Sequence, residues 1–189
     1  MKAVLASRNA HKAQELERAL PGWQIGVLDA DDYPPETGQT YYDNARGKAL
    51  FGRARASGDS WVLGEDSGIE VQGLGGGPGV TSSRNAAGDE VGWMLRALEG
   101  IDGDGRRARY VCELVAITPE GKEVRGTGTL AGRIAAEPSG AQGFGFDPVF
   151  IPDGERRTVA DLGDVWKSRH SHRANAARAL LREAGQLLD

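Results

Sequence analysis

An α/β fold with a mixed sheet is predicted by three features of the sequence. Short apolar runs alternate with helical spacing through Leu98, as expected when strands and helices follow one another. From Arg109 to Thr118 and from Glu123 to Ile134, two β-rich stretches then flank the turn Pro119-Glu120-Gly121-Lys122, the pattern of an antiparallel hairpin. Finally, Ser171 to Leu188 places Ala177, Leu180, Leu181, Ala184, Leu187 and Leu188 at the 3.6-residue period of a helix packed on a sheet.

Taken in order, Ala3 to Ala6 predicts a buried strand, Ser7 to Ala10 a loop, and His11 to Leu20 a helix with Leu16, Ala19 and Leu20 on its apolar stripe. A second strand is expected over Gln24 to Leu28. The proline-bearing stretch Asp29 to Gln39 is a loop, and Thr40 to Ala56 has helical composition, with Asn44 and Lys48 on one face. Trp61-Val62-Leu63 predicts a short buried strand that ends at Gly64-Glu65-Asp66-Ser67-Gly68, because a Ser-Gly pair favours a turn. Glu65 and Asp66 would then sit at the rim of the sheet. The glycine-rich Val71 to Ser83 is expected to be a loop. Asp89 to Leu98 restores helical spacing through Val91, Met94, Leu95 and Leu98.

The chain has 189 residues, enough for one domain with a buried core. Its formal charge is −4, and its basic residues are dispersed, which argues against a nucleic-acid-binding surface. The single cysteine, Cys112, lies within the apolar run Tyr110 to Val115, so no intrachain disulfide can form and a buried structural thiol is expected. The apolar run at the amino terminus, Met1 to Ala6, is too short for a signal peptide or a membrane span. A cytoplasmic protein without membrane contact is expected.

Four segments have compositions suited to chemistry. The adjacent acids Glu65 and Asp66 are either turn residues on a solvated edge or part of a metal site. Ser7-Arg8-Asn9-Ala10-His11-Lys12 leads from a strand into a helix, where backbone N–H groups and Lys12 could hold phosphate oxygens, or could simply cap the helix. It is not a Walker loop, since no Gly-Lys-Ser or Gly-Lys-Thr ending occurs there or in Leu74 to Gly79. Gly143-Phe144-Gly145-Phe146-Asp147-Pro148 alternates glycine with rings, which suits either a flat base or a strand-end turn with two core phenylalanines. Lys167-Ser168-Arg169-His170-Ser171-His172-Arg173 crowds basic groups ahead of the last helix, with Ser171 as its expected N-cap. Since helix starts favour acids, this cluster is expected to answer to an anionic ligand.

In this order and spacing the motifs resemble those of the inosine triphosphate pyrophosphatase family, the bacterial XTP/dITP diphosphatases. The resemblance rests on Ser7-Arg8-Asn9 with Lys12 and Glu15, Glu36-Thr37-Gly38, Tyr42-Asp43-Asn44-Ala45 with Lys48-Ala49, and Glu65-Asp66-Ser67-Gly68. It continues through Pro78-Gly79-Val80 with Ser83-Arg84, Gly143 to Pro148, and Lys167 with Ser171-His172-Arg173. It spans about the whole chain. The resemblance implies a single nucleotide pyrophosphatase domain over residues 1–189, with two lobes around a long mixed sheet flanked by helices and the active site in the cleft between lobes.

It also implies magnesium-dependent hydrolysis of ITP, dITP and XTP to the monophosphate and pyrophosphate by a cytoplasmic homodimer. Carried over by position, Glu36 and Asp66 resemble the metal-binding acids, and Asp66 resembles the proton acceptor. Ser7, Arg8, Asn9, Ala10, His11, Lys12 and Ser67 match substrate contacts, with Lys12 on phosphate. Phe144, Gly145, Phe146, Asp147, Lys167, His172 and Arg173 match the remaining ones, and Lys48 is a further phosphate candidate. Three departures stand out. Glu65 replaces a usual aspartate, leaving its metal role open. Arg8 replaces a small residue, and Asn85 and Ala174 replace a tyrosine and a glycine. Alternatives left by the residues are a pyrophosphatase for other modified triphosphates and a nucleotide-binding regulator without catalysis.

Overall fold

The computed structural model describes residues 1–188, with side chains through Gln186. The strands are β1 (Lys2–Leu5), β2 (Gln24–Val27), β3 (Trp61–Val71), β4 (Pro78–Gly79), β5 (Arg107–Ile117), β6 (Glu123–Ile134) and β7 (Phe150–Pro152). The helices are α1 (Ala10–Ala19), α2 (Tyr41–Arg53), α3 (Ser82–Ala86), α4 (Glu90–Ala97), α5 (Val159–His170) and α6 (His172–Leu188). The strands form one mixed sheet in the order β2-β1-β3-β5-β6-β7, with β4 paired to β3. β1 runs parallel to β2 and β3, whereas β3–β4 and β6–β7 are antiparallel.

The chain divides into two compact units. The first comprises residues 1–67, 112–128 and the segment from His172 onward, and the second comprises 68–111 and 129–171. In the first unit, Leu5, Leu16, Leu20, Trp61, Leu63, Leu114 and Leu180 belong to one apolar core, and Ala45, Ala49, Val115 and Ile117 form a smaller cluster. In the second, Ile69, Met94, Leu98, Tyr110, Phe146, Val149 and Phe150 share another core. Of the expected apolar stripe on α6, Ala177, Leu180 and Ala184 are buried. The side chains of Leu187 and Leu188 lie outside the described residues.

Local chemistry accounts for the helix starts. The Asn9 side chain accepts from the His11 N–H and caps α1. Thr40 and Asp43 form a reciprocal capping box at the start of α2. Asp89 caps α4 by accepting from the Gly92 N–H.

Three expectations are corrected. Glu65 and Asp66 do not lie on a turn at the sheet rim, because β3 continues to Val71. The strand is carried on by the Ile69 N–H donating to Ser82 Oγ and by antiparallel pairing of Ile69 and Glu70 with β4. The glycine-rich stretch after β3 is not loop throughout, since it holds a 3-10 turn at Gln72–Leu74, β4 and the first residues of α3. Lys167 to His170 are also helical, in α5, which is interrupted at Gly163 by a left-handed backbone (φ 81°). Ser171 follows α5 as its C-cap.

Gly64, Gly126 and Gly128 bring helices onto the sheet at backbone distance. A Cβ at Gly64 would lie 2.0 Å from the Ala45 carbonyl and 2.5 Å from the Ala49 nitrogen, so α2 rests directly on β3. A Cβ at Gly128 would lie 2.1 Å from the His172 carbonyl, where β6 supports the start of α6. Gly64→Ala must push α2 away from β3. We expect a loss of about 3 kcal/mol, and with it a drop of roughly 6 to 12 °C in melting temperature, measured by calorimetry.

Candidate active site

Side chains alternate across a strand, so two adjacent acids on β3 face opposite sides of the sheet. Asp66 shares its face with Gly64 and meets α2. Asn44 Nδ2 donates to its Oδ2 at 3.1 Å, and Lys48 Nζ donates to its Oδ1 at 2.9 Å. The same ammonium lies 2.5 Å from Glu36 Oε1 and donates to the Glu65 carbonyl at 3.0 Å. Glu36 sits in the 29–39 loop, which Asn44 also anchors: its Oδ1 accepts from the Gly38 N–H at 2.8 Å. Thus one turn of α2, from Asn44 to Lys48, draws Glu36 and Asp66 onto a single cation. Burial pushes the Asp66 carboxyl up, and the neighbouring carboxylates of Glu65 and Glu36 add to that, while Lys48 opposes it. Burial alone would favour a neutral Lys48, but Asp66, Glu65 and Glu36 more than offset it and hold the ammonium charged.

Glu65 points to the other side and is fully buried. Its Oε2 lies 2.6 Å from Lys12 Nζ, and Arg173 Nε donates to its Oε1 at 3.0 Å. Arg173 also donates to Glu15 Oε2 at 2.9 Å and to Ser67 Oγ at 2.7 Å, and the Cys112 thiol contacts Glu65 Oε1 at 3.5 Å. Burial raises the cost of the Glu65 charge, yet Lys12, Arg173 and Lys48 together hold its carboxyl well below the ordinary range. Burial pushes the Cys112 thiol up, so it stays protonated. At the basic start of α6, Arg173 is paired with the chain's own Glu65 and Glu15, as a buried guanidinium requires a paired anion. His172 is buried at the first position of that helix, and Ala174 is buried beside it.

The loop before α1 is ordered by its own side chains. Ser7 Oγ accepts from the Asn9 N–H at 3.1 Å, and the Asn9 side chain accepts from the His11 N–H at 3.0 Å. Ala10 and His11 are exposed in the first turn of α1. Arg8 reaches the 29–39 loop: it donates to the Asp31 carbonyl at 2.6 Å, and its guanidinium lies 5.3 Å from the Tyr33 ring centroid. Tyr33 packs on Phe51 at 4.9 Å, and Arg55 lies over Phe51 at 3.8 Å. This ladder of cations and rings fastens the loop that carries Glu36.

A second group lies within the second unit. Lys167 and Asp147 are buried, with Nζ donating to Asp147 Oδ2 at 2.7 Å. The Phe144 N–H donates to the same oxygen at 2.8 Å, and the Lys167 ammonium lies 4.7 Å from the Phe144 ring centroid. Gly143 adopts φ 79°, and a Cβ there would lie 2.2 Å from Asp147 Oδ2. Gly145 adopts φ 65° and is half-buried. The two rings differ in role: Phe146 belongs to the apolar core of this unit, and Phe144 is the partly accessible one.

Glu36 and Asp66 are the two acids that share one cation, the Lys48 ammonium. Among the described residues, no group of three or more His, Cys, Asp or Glu forms a cage. Two oxygen donors fit magnesium, which keeps several waters and is completed by substrate phosphates. The ammonium between them is a stand-in that shows their oxygens can serve one cation. Asn44 and Glu15 join the site without having been expected there. The four-residue spacing of Asn44 and Lys48 was the available signal for the first. Glu15 stands in the first motif of the resemblance, but nothing local marks its pairing, since its partner Arg173 lies 158 residues away.

Glu65 is ionised in the folded chain at pH values where an unfolded glutamate, with its ordinary value near 4.5, has taken a proton. Its contribution to stability is therefore full above that value and lost as pH falls below it. Glu65→Gln takes the carboxylate from Lys12 and leaves Arg173 with Glu15 alone, and we expect about 3 kcal/mol less stability at pH 7. Urea unfolding at pH 7 and pH 3.5 should also show a smaller acid-induced loss in the variant than in the wild type.

Residues 3–183 match the Ham1 family. Over 192 aligned residues the chain is 40% identical to a dITP/XTP pyrophosphatase of Bdellovibrio bacteriovorus, covering 96% of each protein. A crystal structure described as a nucleoside-triphosphatase and dITP/XTP pyrophosphatase from Mycobacterium abscessus superposes with a TM-score of 0.70 at 38% identity, covering 95% of this chain and 97% of that one. A HAM1 protein structure from Coxiella burnetii gives a TM-score of 0.78 at 31% identity, with both chains fully covered. The mixed sheet, the near-complete family match and these relatives lead to one assignment: the chain belongs to the Ham1 family.

Proposed function

We propose that this chain hydrolyses dITP, ITP and XTP to the monophosphate and pyrophosphate. The observation that carries the reading is the convergence of Glu36 and Asp66 on one cation, in a chain that shares 40% identity with a protein named dITP/XTP pyrophosphatase. Around β3, the cations Lys12, Lys48 and Arg173 face the carboxylates of Glu15, Glu36, Glu65 and Asp66, so the set carries one net negative charge. A nucleoside triphosphate carries roughly four negative charges near neutral pH, so these acids can face it only with added positive charge. Magnesium held by Glu36 and Asp66 would supply that charge opposite the phosphate oxygens.

The protein's own groups do the rest. Asp66 accepts the proton of the attacking water, a role suited by a carboxyl whose proton affinity is raised by burial. Asn44, donating to Oδ2, fixes the plane of that carboxylate. Water adds to the α-phosphorus, the bond to the oxygen bridging the α- and β-phosphates breaks, and pyrophosphate departs. Lys12 and Arg173 are assigned to phosphate oxygens, with Glu65 fixing the position of both cations and taking no metal. Ser67, Ser7, Asn9 and the exposed Ala10 and His11 offer hydroxyl, amide and backbone contacts nearby in sequence. Arg8 is assigned to the Glu36 loop and acts on substrate only through it.

The second group has chemistry suited to the base. The Phe144 ring presents an apolar face and Lys167 a donor for a 6-oxo group. Such a donor facing the 6-amino group of adenine would lose its acceptor, a costly exchange in a buried site. Residues 1–189 are taken as one functional domain, active in the cytoplasm as a homodimer, for which light scattering should give twice the 20.1 kDa chain mass.

With magnesium present, ITP should yield IMP and pyrophosphate in equal amounts, and ATP should turn over far more slowly. Asp66→Asn should lower kcat by at least about 100-fold. Orthophosphate as the only inorganic product, or undiminished turnover by Asp66→Asn, would contradict the reading.

A further inference from the structure

We propose that Lys48 is a cation gate: its ammonium occupies the oxygen site of the divalent metal, closes it to free magnesium, and leaves only when a nucleotide's phosphates offer the lysine another partner. The inference rests on the assignment of Glu36 and Asp66 as metal-holding acids. It goes beyond that assignment by ordering the events, since metal and nucleotide must enter together.

The geometry carries it. An ammonium has three N–H donors, and those of Lys48 meet Glu36 Oε1 at 2.5 Å, Asp66 Oδ1 at 2.9 Å and the Glu65 carbonyl at 3.0 Å. Every donor is matched by an oxygen, and the side chain is only 14% exposed. The same two carboxylate oxygens would have to turn to a magnesium ion at about 2.0–2.1 Å. The ammonium and the divalent ion therefore compete for the same lone pairs, and two cations a few ångströms apart in a mostly buried site repel one another.

Free magnesium gains too little to win that exchange. It gives up hydration water reluctantly, and it would leave a buried ammonium with no anion. A nucleotide changes the balance, because its phosphate oxygens can accept from Lys48 as the metal takes the carboxylates. Lysine suits the gate better than arginine would. Its compact ammonium sits at the end of four flexible methylenes and can swing between two oxygen sets, whereas a planar guanidinium would lock onto one. Asn44 stays on Asp66 Oδ2 throughout and keeps the carboxylate aimed.

The test measures Mn2+ binding to nucleotide-free protein by electron paramagnetic resonance, in wild type and Lys48→Met. The variant should bind Mn2+ at least 10-fold more tightly than the wild type, and equal or weaker binding by a folded Lys48→Met overturns the gate. Should that variant fail to fold, wild-type protein carrying 15N-labelled lysine decides the question. The Lys48 Nζ resonance should hold its position with Mg2+ alone and shift with Mg2+ plus α,β-methylene ITP. A full shift with Mg2+ alone overturns the proposal. Wild-type ITP hydrolysis, assayed in parallel, keeps the two readings apart: turnover with equal Mn2+ affinities removes the gate alone, and absence of turnover removes the assigned function.

Discussion

Two carboxylates on consecutive residues of a strand must face opposite sides of the sheet, and the candidate site is organised around that constraint. Glu65 and Asp66 are one residue apart, yet they live in different electrostatic surroundings. Glu65 is sealed between Lys12 and Arg173 and stays ionised. Asp66 faces α2, where burial and two neighbouring acids work against its charge, and one lysine holds it. The first arrangement suits a fixed counter-charge. The second suits a group that exchanges protons and partners.

Packing makes the second arrangement possible. Because Gly64 has no side chain, α2 lies against β3 at backbone distance, and the turn from Asn44 to Lys48 arrives beside Asp66. Asn44 is bonded both to Asp66 and to the Gly38 N–H, so it couples the strand to the loop that carries Glu36. Tyr33 of that loop packs on Phe51 of α2, with Arg8 over the first ring and Arg55 over the second. Removal of one clamp should shift a carboxylate without unfolding the unit. On the other face, the close contact of β6 with α6 at Gly128 sets the first turn of the helix that presents Arg173.

Much of this was legible in the sequence because it depends on local patterns. The strand runs, the hairpin of β5 and β6, the stripe on α6 and the shared face of Asn44 and Lys48 all follow from periods of 2 or 3.6 residues. Ser67-Gly68 carries a strong local turn preference that would end β3 early, and tertiary pairing with β4 overrides it. Helix α5 stayed hidden because Gly163 interrupts it and its second half is rich in charge. The alternation of Phe144 and Phe146 gave no sign that one ring would enter the core and the other remain accessible. The partners of Glu65 could not be found locally either, since Arg173 lies 108 residues away. Adjacency of two acids suggested a shared metal; the pleat of the strand separates them.

The most direct measurement is a carbon-13 NMR titration of the carboxyl groups of Glu65 and Asp66 in metal-free protein, assigned by comparison with Glu65→Gln and Asp66→Asn. The account predicts that the Asp66 resonance titrates above the ordinary aspartate range, while Glu65 shows no protonation until well below the ordinary glutamate range. Matching titrations for the two groups, or the reverse order, would contradict the division of labour between them.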